Sequence, residues 1–207
     1  MENERVVLAV AKGRIMDDAL RALKKSGINV SSVSQKTREL IFDLQNYRIL
    51  SCKPIDVPKY VEMGTADCGI VGSDCITESM CDVYEPISLK FGKCKMVVAC
   101  QKNMKIKYKQ GEEIKVATKF PNIAKKYFED KKMIPKIICL NGSVELAPLV
   151  GLSDVIVDIT ESGETIRKNN LKIIDTVMDI TAKVIFNKTS VRTKQKTLEN
   201  FAKIIKK

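Results

Sequence analysis

Val155-Ile156-Val157-Asp158-Ile159 is a run of β-branched residues broken by one carboxylate. A strand with one wet face alternates apolar and polar residues. A near-continuous apolar run instead marks a strand covered on both faces, the habit of parallel strands in α/β folds. The run passes directly into Glu161-Ser162-Gly163-Glu164-Thr165, and Thr165-Ile166-Arg167-Lys168 can open a short helix. A strand that turns through glycine into a helix start aims backbone N–H groups at one point, the geometry of a phosphate seat. Gly163 lets the backbone approach an anion, and Ser162 and Thr165 can donate hydroxyl bonds. The spacing matches neither a Walker A loop nor the dinucleotide fingerprint. An ordinary βα turn capped by Ser or Thr is the alternative.

The same unit recurs along the chain. Val6–Ala11 is an apolar strand followed by Lys12-Gly13-Arg14, and Met16, Ala19, Leu20 and Leu23 then share a helical face that stops at Gly27. Leu40–Leu44 and Tyr47–Leu50 flank Gln45-Asn46 as an antiparallel hairpin, which Arg38 enters. Asp56 is the expected N-cap of a helix with Pro58 in its first turn, ending at Gly64. Cys68–Gly72 is a short buried strand, with Ser73-Asp74 capping the next segment. The pattern changes near Ile87–Lys93. Lys95–Cys100 is a strand, and Lys102, Lys105, Lys107 and Lys109 stud an irregular stretch that resembles a protected sheet edge. Alternation then resumes: a strand at Val116-Ala117, a helix over Pro121–Lys131, a strand at Ile137–Leu140, then Asn141-Gly142-Ser143 and a short helix with Leu146 and Leu149. Lys172–Val177 and Ala182–Phe186 are further strands, and Leu198, Phe201, Ala202 and Ile205 share one face of a last helix.

Two sets of βα units on either side of the change predict two α/β lobes, with ligands at strand C-termini and in a cleft between the lobes. Lys12-Gly13-Arg14, Gly72-Ser73, Asn141-Gly142-Ser143 and Glu161–Thr165 are all strand-exit turns, and four converging turns carry more weight than one.

Histidine is absent from all 207 residues, which removes Ser-His and Cys-His hydrolases, His-ligated metals and imidazole acid–base catalysis. The seven cysteines include no CxxC pair, and Cys68, Cys94, Cys100 and Cys139 lie in or beside apolar runs, as reduced core residues do. The N-terminus lacks the apolar core of a signal peptide and no stretch reaches membrane-span length, so the expected location is cytoplasmic, with no membrane partner. A net charge of +11 suits phosphorylated substrates or another polyanion, or reflects a lysine-rich surface. No helix-turn-helix, RRM or OB signature supports a nucleic-acid partner.

Several of these stretches together resemble the catalytic subunit of ATP phosphoribosyltransferase in its short form. They are Ala11–Arg14, Asp56–Glu62, Ala66–Gly72, Ala117–Ala124, Asn141–Leu152 and the Glu161–Thr165 turn. The resemblance implies a two-lobed fold like type II periplasmic binding proteins, with an inter-lobe cleft. It assigns residues 1–90 plus 181–207 to lobe I and 91–180 to lobe II, which carries the phosphoribosyl-phosphate loop. It implies that adenine N1 of ATP displaces pyrophosphate from 5-phosphoribosyl 1-diphosphate, the first step of histidine biosynthesis. Adenine N1 offers its own lone pair, so a chain without histidine can run that reaction by positioning and electrostatics.

The same resemblance implies that Arg14 and Arg38, with Lys12, neutralise the departing pyrophosphate. Asp158, Glu161, Ser162, Gly163, Glu164 and Thr165 would bind phosphoribosyl diphosphate, and Lys53, Gly72, Ser73, Ser143 and Glu145 would make further substrate contacts. Family members often carry Arg where Lys53 stands and Lys where Ser73 stands, so the first change loses a bidentate fork and the second a charge. Mg²⁺ on the diphosphate is implied, held mainly by substrate oxygens. So is a regulatory subunit resembling histidyl-tRNA synthetase, in a hetero-octamer. Because two glutamates flank the seat, the N–H groups from Ser162 to Thr165 are expected to point in, with Glu164 pointing to solvent. A ligand-sensing protein on the same fold is the rival reading; it leaves Arg14 and Arg38 unexplained.

Overall fold

The computed structural model describes residues 5–106 and 108–206, so Lys107 of the lysine-studded stretch lies outside the described residues. The chain divides into two compact units. One runs up to Gly92 and resumes at Thr181; the other is Lys93–Ile180.

The first unit contains β1 (Val6–Ala11), α1 (Arg14–Lys25), β2 (Ile41–Asp43), β3 (Tyr47–Cys52), a 3-10 turn at Pro54–Asp56, α2 (Val57–Glu62), β4 (Cys68–Gly72), α3 (Ser73–Ser79) and β5 (Tyr84–Ser88). Its sheet has the order β2-β3-β1-β4, then a strand from the returning chain, then β5. β1 runs parallel to β3 and β4, and β2 closes the expected hairpin against β3. The second unit contains β6 (Cys94–Gln101), β7 (Glu113–Thr118), α4 (Pro121–Asp130), β8 (Ile134–Cys139), α5 (Leu146–Leu149), β9 (Val155–Thr160), α6 (Glu164–Lys168) and β10 (Leu171–Ile180). Its sheet order is β10-β6-β9-β7-β8. The chain then returns as β11 (Ala182–Phe186), α7 (Lys188–Thr193) and α8 (Gln195–Ile205).

Each sheet is covered on both faces, as the near-continuous apolar strands require. In the first unit, Leu8, Val10 and Ile70 pack with Met16 and Leu23 of α1 and with Phe201, Leu198 and Ile205 of α8. Ala9, Ala11 and Val71 face the other way, onto Val57 and Val61 of α2. Burying side chains such as Leu198 and Phe201 stabilises by roughly 1.5–3 kcal/mol each, which holds α8 on the sheet. In the second unit, Met96, Val98, Val116 and Val157 pack on Phe128 and Ala124 of α4, while Val97, Ala99 and Ile156 meet Ile166 and Ala147.

β11 is inserted antiparallel between β4 and β5. Two buried polar residues fasten the segment that follows it. Asp67 accepts from Val7 N (2.9 Å) and Ser190 Oγ (2.8 Å) and pairs with Lys194 Nζ at 3.1 Å. Asn187 caps α7 by accepting from the amides of Thr189 and Ser190. Its Nδ2 donates to the carbonyls of Val61 (2.8 Å) and Glu62 (3.1 Å) at the end of α2. One side chain thus serves two helix ends.

Several local expectations change. Asp56 ends the 3-10 turn and makes no side-chain cap to α2, because the turn already delivers the chain in a helical conformation. β10 runs on through Met178-Asp179-Ile180, held by pairing with β6 that no local pattern reveals. The lysines after Gln101 follow β6, an interior strand; the sheet edges are β10 and β8. Lysine content alone does not say which strand lies outside. Cys68 and Cys100 are core residues, whereas Cys94 is half-buried and Cys139 is exposed at the end of edge strand β8. No helix among the described residues is long and apolar enough to cross a membrane.

In the second unit, Tyr127 O–H donates to Asp175, and Lys131 Nζ pairs with the same carboxylate at 3.1 Å. The Lys131 ammonium lies 4.9 Å from the Tyr127 ring centroid and 5.2 Å from that of Tyr108. The Tyr127 hydrogen bond, with Lys131 behind it, holds the Asp175 carboxyl below its ordinary value. A lowered native pKa stabilises the fold above the unfolded value and stops doing so as pH falls through the native one. The stability gap between parent and Asp175→Asn is therefore expected to be full above about pH 5 and to shrink on acidification. Urea titrations across that range measure it; a gap independent of pH counts against the pairing. Asn187→Ala is expected to cost about 2–3 kcal/mol, from a lost cap and poorly satisfied α2 carbonyls, in denaturant unfolding followed by circular dichroism.

Candidate functional site

In the second unit β7 is parallel to both β8 and β9, so all three strands end on one edge of the sheet. That edge gathers Lys119 after β7, Ser143 and Glu145 after β8, and Asp158 with the Glu161–Thr165 turn from β9. Thr118 fixes the arrangement. Fully buried, its hydroxyl donates to Val157 O (2.7 Å) and accepts from Phe120 N (2.9 Å), tying the end of β7 to β9.

Asp158 is half-buried, and its Oδ1 accepts from Ile159 N at 2.8 Å. Burial raises its carboxyl above the ordinary carboxylate value; Glu145 adds to the rise and Lys119 opposes it. Glu145 and Lys119 are thus each within electrostatic reach of Asp158. Ser143 is exposed with φ +49°, a left-handed conformation uncommon for a residue with a side chain, and its carbonyl accepts from Leu146 N ahead of α5.

Gly163 has φ +73° and is the N-cap of α6, so the turn needs a residue without Cβ. Its amide donates to Thr160 Oγ1 (2.8 Å), and the Glu164 amide donates to Ser162 Oγ (3.3 Å). The expected convergence of every N–H from Ser162 to Thr165 is thereby reduced, because the turn consumes two of them internally. The amides of Thr165 and Ile166 have no partner among the described hydrogen bonds, as the first turn of a helix leaves them. Glu164 points to solvent and pairs with Lys168 at 2.7 Å, its side chain 62% exposed. Glu161 is exposed as well. No carboxylate of Glu164 blocks the turn.

In the first unit, parallel β1, β3 and β4 likewise end together, presenting Lys12-Gly13-Arg14, Lys53 and Ser73. Lys12 N donates to Cys52 O at 2.8 Å. Lys12 and Lys53 open onto a cavity of about 480 Å³ with Asp56, Tyr60, Leu40 and Ile41 on its walls. Cys52 lines it too, its thiol pushed up to about 11 by burial. Arg14 is exposed at the start of α1, and Arg38 is exposed in the segment before β2, two residues from Leu40. Arg38 makes no ion pair among the described contacts.

Three first-unit residues have partners that local sequence did not announce. Gly13, at φ +87°, donates its amide to Gln35 Oε1 (2.6 Å), while Gln35 Nε2 donates to Gly13 O (3.1 Å) and Asp17 Oδ1 (2.7 Å). The Gly13 amide is therefore committed to a glutamine side chain, and the turn offers cations rather than that N–H. A Cβ on Gly72 would lie 2.1 Å from Asp74 Oδ1, so glycine leaves room for a buried carboxyl whose pKa is raised by burial. Ser73 Oγ accepts from Thr181 N (3.3 Å), and Ser73 N donates to Thr181 O (2.9 Å), so it braces the returning chain. Thr118, Lys119 and Gln35 act through contacts distant in sequence, and of these only Gln35 lies outside every stretch singled out from sequence.

Two α/β units, each with parallel strands that end together in strand-exit turns, define a fold of the type II periplasmic-binding-like class. The family model described as "HisG: ATP phosphoribosyltransferase" matches residues 53–207. The chain is 48% identical over 201 residues to an ATP phosphoribosyltransferase of Clostridioides difficile, covering 96% of both chains. It is 46% identical over 197 residues to that of Caldanaerobacter subterraneus, covering 94% of this chain and 93% of the relative. Among solved structures, the ATP phosphoribosyl transferase (HisG:HisZ) complex from Thermotoga maritima superposes with a TM-score of 0.84 at 36% identity, over 97% of this chain and 96% of that one. The chain belongs to the ATP phosphoribosyltransferase family, whose members are pentosyltransferases.

Thr118→Val keeps the shape of Thr118 and deletes its hydroxyl. It is expected to destabilise the chain by about 1–3 kcal/mol in urea unfolding, because the Phe120 amide loses its buried acceptor. An unchanged midpoint would remove Thr118 as the lock between β7 and β9.

Proposed function

We propose that the chain transfers the 5-phosphoribosyl group of 5-phosphoribosyl 1-diphosphate to N1 of the adenine of ATP, releasing pyrophosphate, in the first step of histidine biosynthesis. The observation that carries this reading is family membership over nearly the full length, with the glycine turn intact at the end of β9. In the reaction the N1–C1 bond forms as the C1–O bond to the diphosphate breaks, and the bonding pair leaves on pyrophosphate. N1 attacks with its own lone pair, so no general base is required. The protein must hold two polyanions in line and stabilise charge accumulating on the leaving group.

The roles follow from chemistry at the strand exits. The unpartnered amides of Thr165 and Ile166, with the Ser162 and Thr165 hydroxyls, receive the 5′-phosphate at the Gly163 turn. Asp158 accepts from ribose hydroxyls, a task suited to a half-buried carboxyl, and Glu161 lies at the rim. Lys12, Arg14 and Arg38 neutralise pyrophosphate, and Lys53 supports them in the lysine-lined cavity. Glu145 and Ser143 border the ribose side. Gly72 and Ser73 act through the backbone of the β4 exit rather than by charge.

Among the described residues no group of three His, Cys, Asp or Glu side chains is placed to hold a metal. We take Mg²⁺ to be held mainly by substrate oxygens, with Asp158 or Glu161 as the residues that would meet it through water. When bound, the ion draws negative charge from the departing pyrophosphate. The relative in complex with a second protein supports a regulatory partner for this chain too, which we take to resemble histidyl-tRNA synthetase in a hetero-octamer. The expected setting is the cytoplasm.

Arg38→Ala is expected to lower kcat by about 10²–10³-fold, the scale of a lost oxyanion donor, with a much smaller rise in either KM. Arg38→Lys is expected to recover only part of this, since lysine lacks the bidentate fork. Pyrophosphate release from ATP, phosphoribosyl diphosphate and Mg²⁺, with and without the regulatory partner, measures both. A parent-like kcat in Arg38→Ala ends that role, and no release under either condition overturns the activity.

A further inference from the structure

Behind the Gly163 turn, on the side of α6 that faces β10, lies a second opening of about 380 Å³. Of the residues assigned to substrate it contains Gly163 and Ile166, the latter assigned through its backbone amide only. Ile166 and Leu171 are buried at its floor, and Ile173 is 44% exposed beside them. Its remaining walls are three cations: Lys102, Arg167 and Lys172. Lys102 is positioned by its amide, which donates to Asn170 O (3.0 Å), and Lys172 stands on β10 opposite Cys100 of β6. None of the three makes an ion pair among the described residues, although Lys168, the next residue to Arg167, is paired. No acid lines the opening.

Three cations stand without an ion pair among the described residues, and Ile173 beside them stays exposed. A ligand that relieves both carries two or more negative charges on a compact apolar body. The volume suits a molecule of one or two rings. Arg167 also connects this opening to the turn. Its amide donates to Gly163 O (3.0 Å), and its Nη1 lies 3.2 Å from the point a Cβ on Gly163 would occupy. The guanidinium therefore rests against the turn from behind.

We propose that this opening is a second anion site, for a small organic phosphate with an apolar body, and that its ligand draws Arg167 off the Gly163 turn and weakens the seat. The binding half stands on the opening itself; the coupling half rests on the reading of the turn as the 5′-phosphate seat. An acidic peptide could satisfy the cations but not the compact floor, so a small molecule is the better fit.

The probe is 1-naphthyl phosphate, titrated calorimetrically into the full chain already saturated with phosphoribosyl diphosphate and Mg²⁺. It is expected to bind the saturated protein, and to bind at least about tenfold less tightly to Lys102→Gln/Lys172→Gln. That double variant is expected to release pyrophosphate at the parent rate without probe. With probe, the KM for phosphoribosyl diphosphate is expected to rise in the parent and stay fixed in the variant, at constant kcat. Equal affinity in the variant, or a probe affinity that falls without limit as phosphoribosyl diphosphate rises rather than levelling off at saturation, overturns the site. Binding of a poly-glutamate peptide without binding of naphthyl phosphate overturns it in favour of a peptide groove. Normal probe binding with no change in KM overturns the coupling alone. A parent that releases no pyrophosphate defeats the activity reading and leaves the calorimetric result to decide the site.

Discussion

The insertion of β11 between β4 and β5 is the constraint on which the first unit depends. Until the chain has left for the second unit and returned, β4 lacks a neighbour on one side and β5 has none at all. The buried Asp67 then fastens the return by meeting Val7, Ser190 and Lys194 together. A carboxylate that buried is costly unless its oxygens are satisfied, and three partners from two distant stretches satisfy them. Asn187 does the same for the ends of α2 and α7. Because Ser73 is bonded to Thr181 through both backbone and side chain, the closure reaches the β4 exit, one of the turns assigned to substrate.

Parallel strands explain why functional residues so far apart in sequence share an edge. Crossover helices return the chain to the same end of the sheet each time, so every strand exit lands beside its neighbours. In the second unit this collects Lys119, Glu145, Asp158 and the Gly163 turn; in the first it collects Lys12, Arg14 and Lys53. A displacement driven by positioning and charge asks for little more than rigid turns carrying amides and cations. That is why a chain with no histidine can serve it.

The structure also divides the polar groups of the turns by task. The amides of Gly163, Glu164 and Gly13 hold their own turns, bonded to Thr160, Ser162 and Gln35. What remains for ligands is smaller than the motifs imply: two amides after Gly163, the hydroxyls, and the cations around Lys12. The Arg167 amide helps hold the turn through Gly163 O, while its guanidinium rests against Gly163.

By itself the sequence determined the α/β class, most strands and helices, the position of each strand-exit turn, and a chemistry without imidazole. These follow from local causes: β-branched runs, helical spacing, glycine at positions of positive φ, and residue types present or absent. Only tertiary structure decided that Gln35 seals Gly13, that Thr118 locks β7 to β9, and that Ser73 braces Thr181. It also decided that the lysines after Gln101 follow an interior strand, and that Cys139 is exposed. Each of these rests on a contact between residues far apart in the chain, or on which strand lies at an edge, and neither is encoded in any window of neighbouring residues.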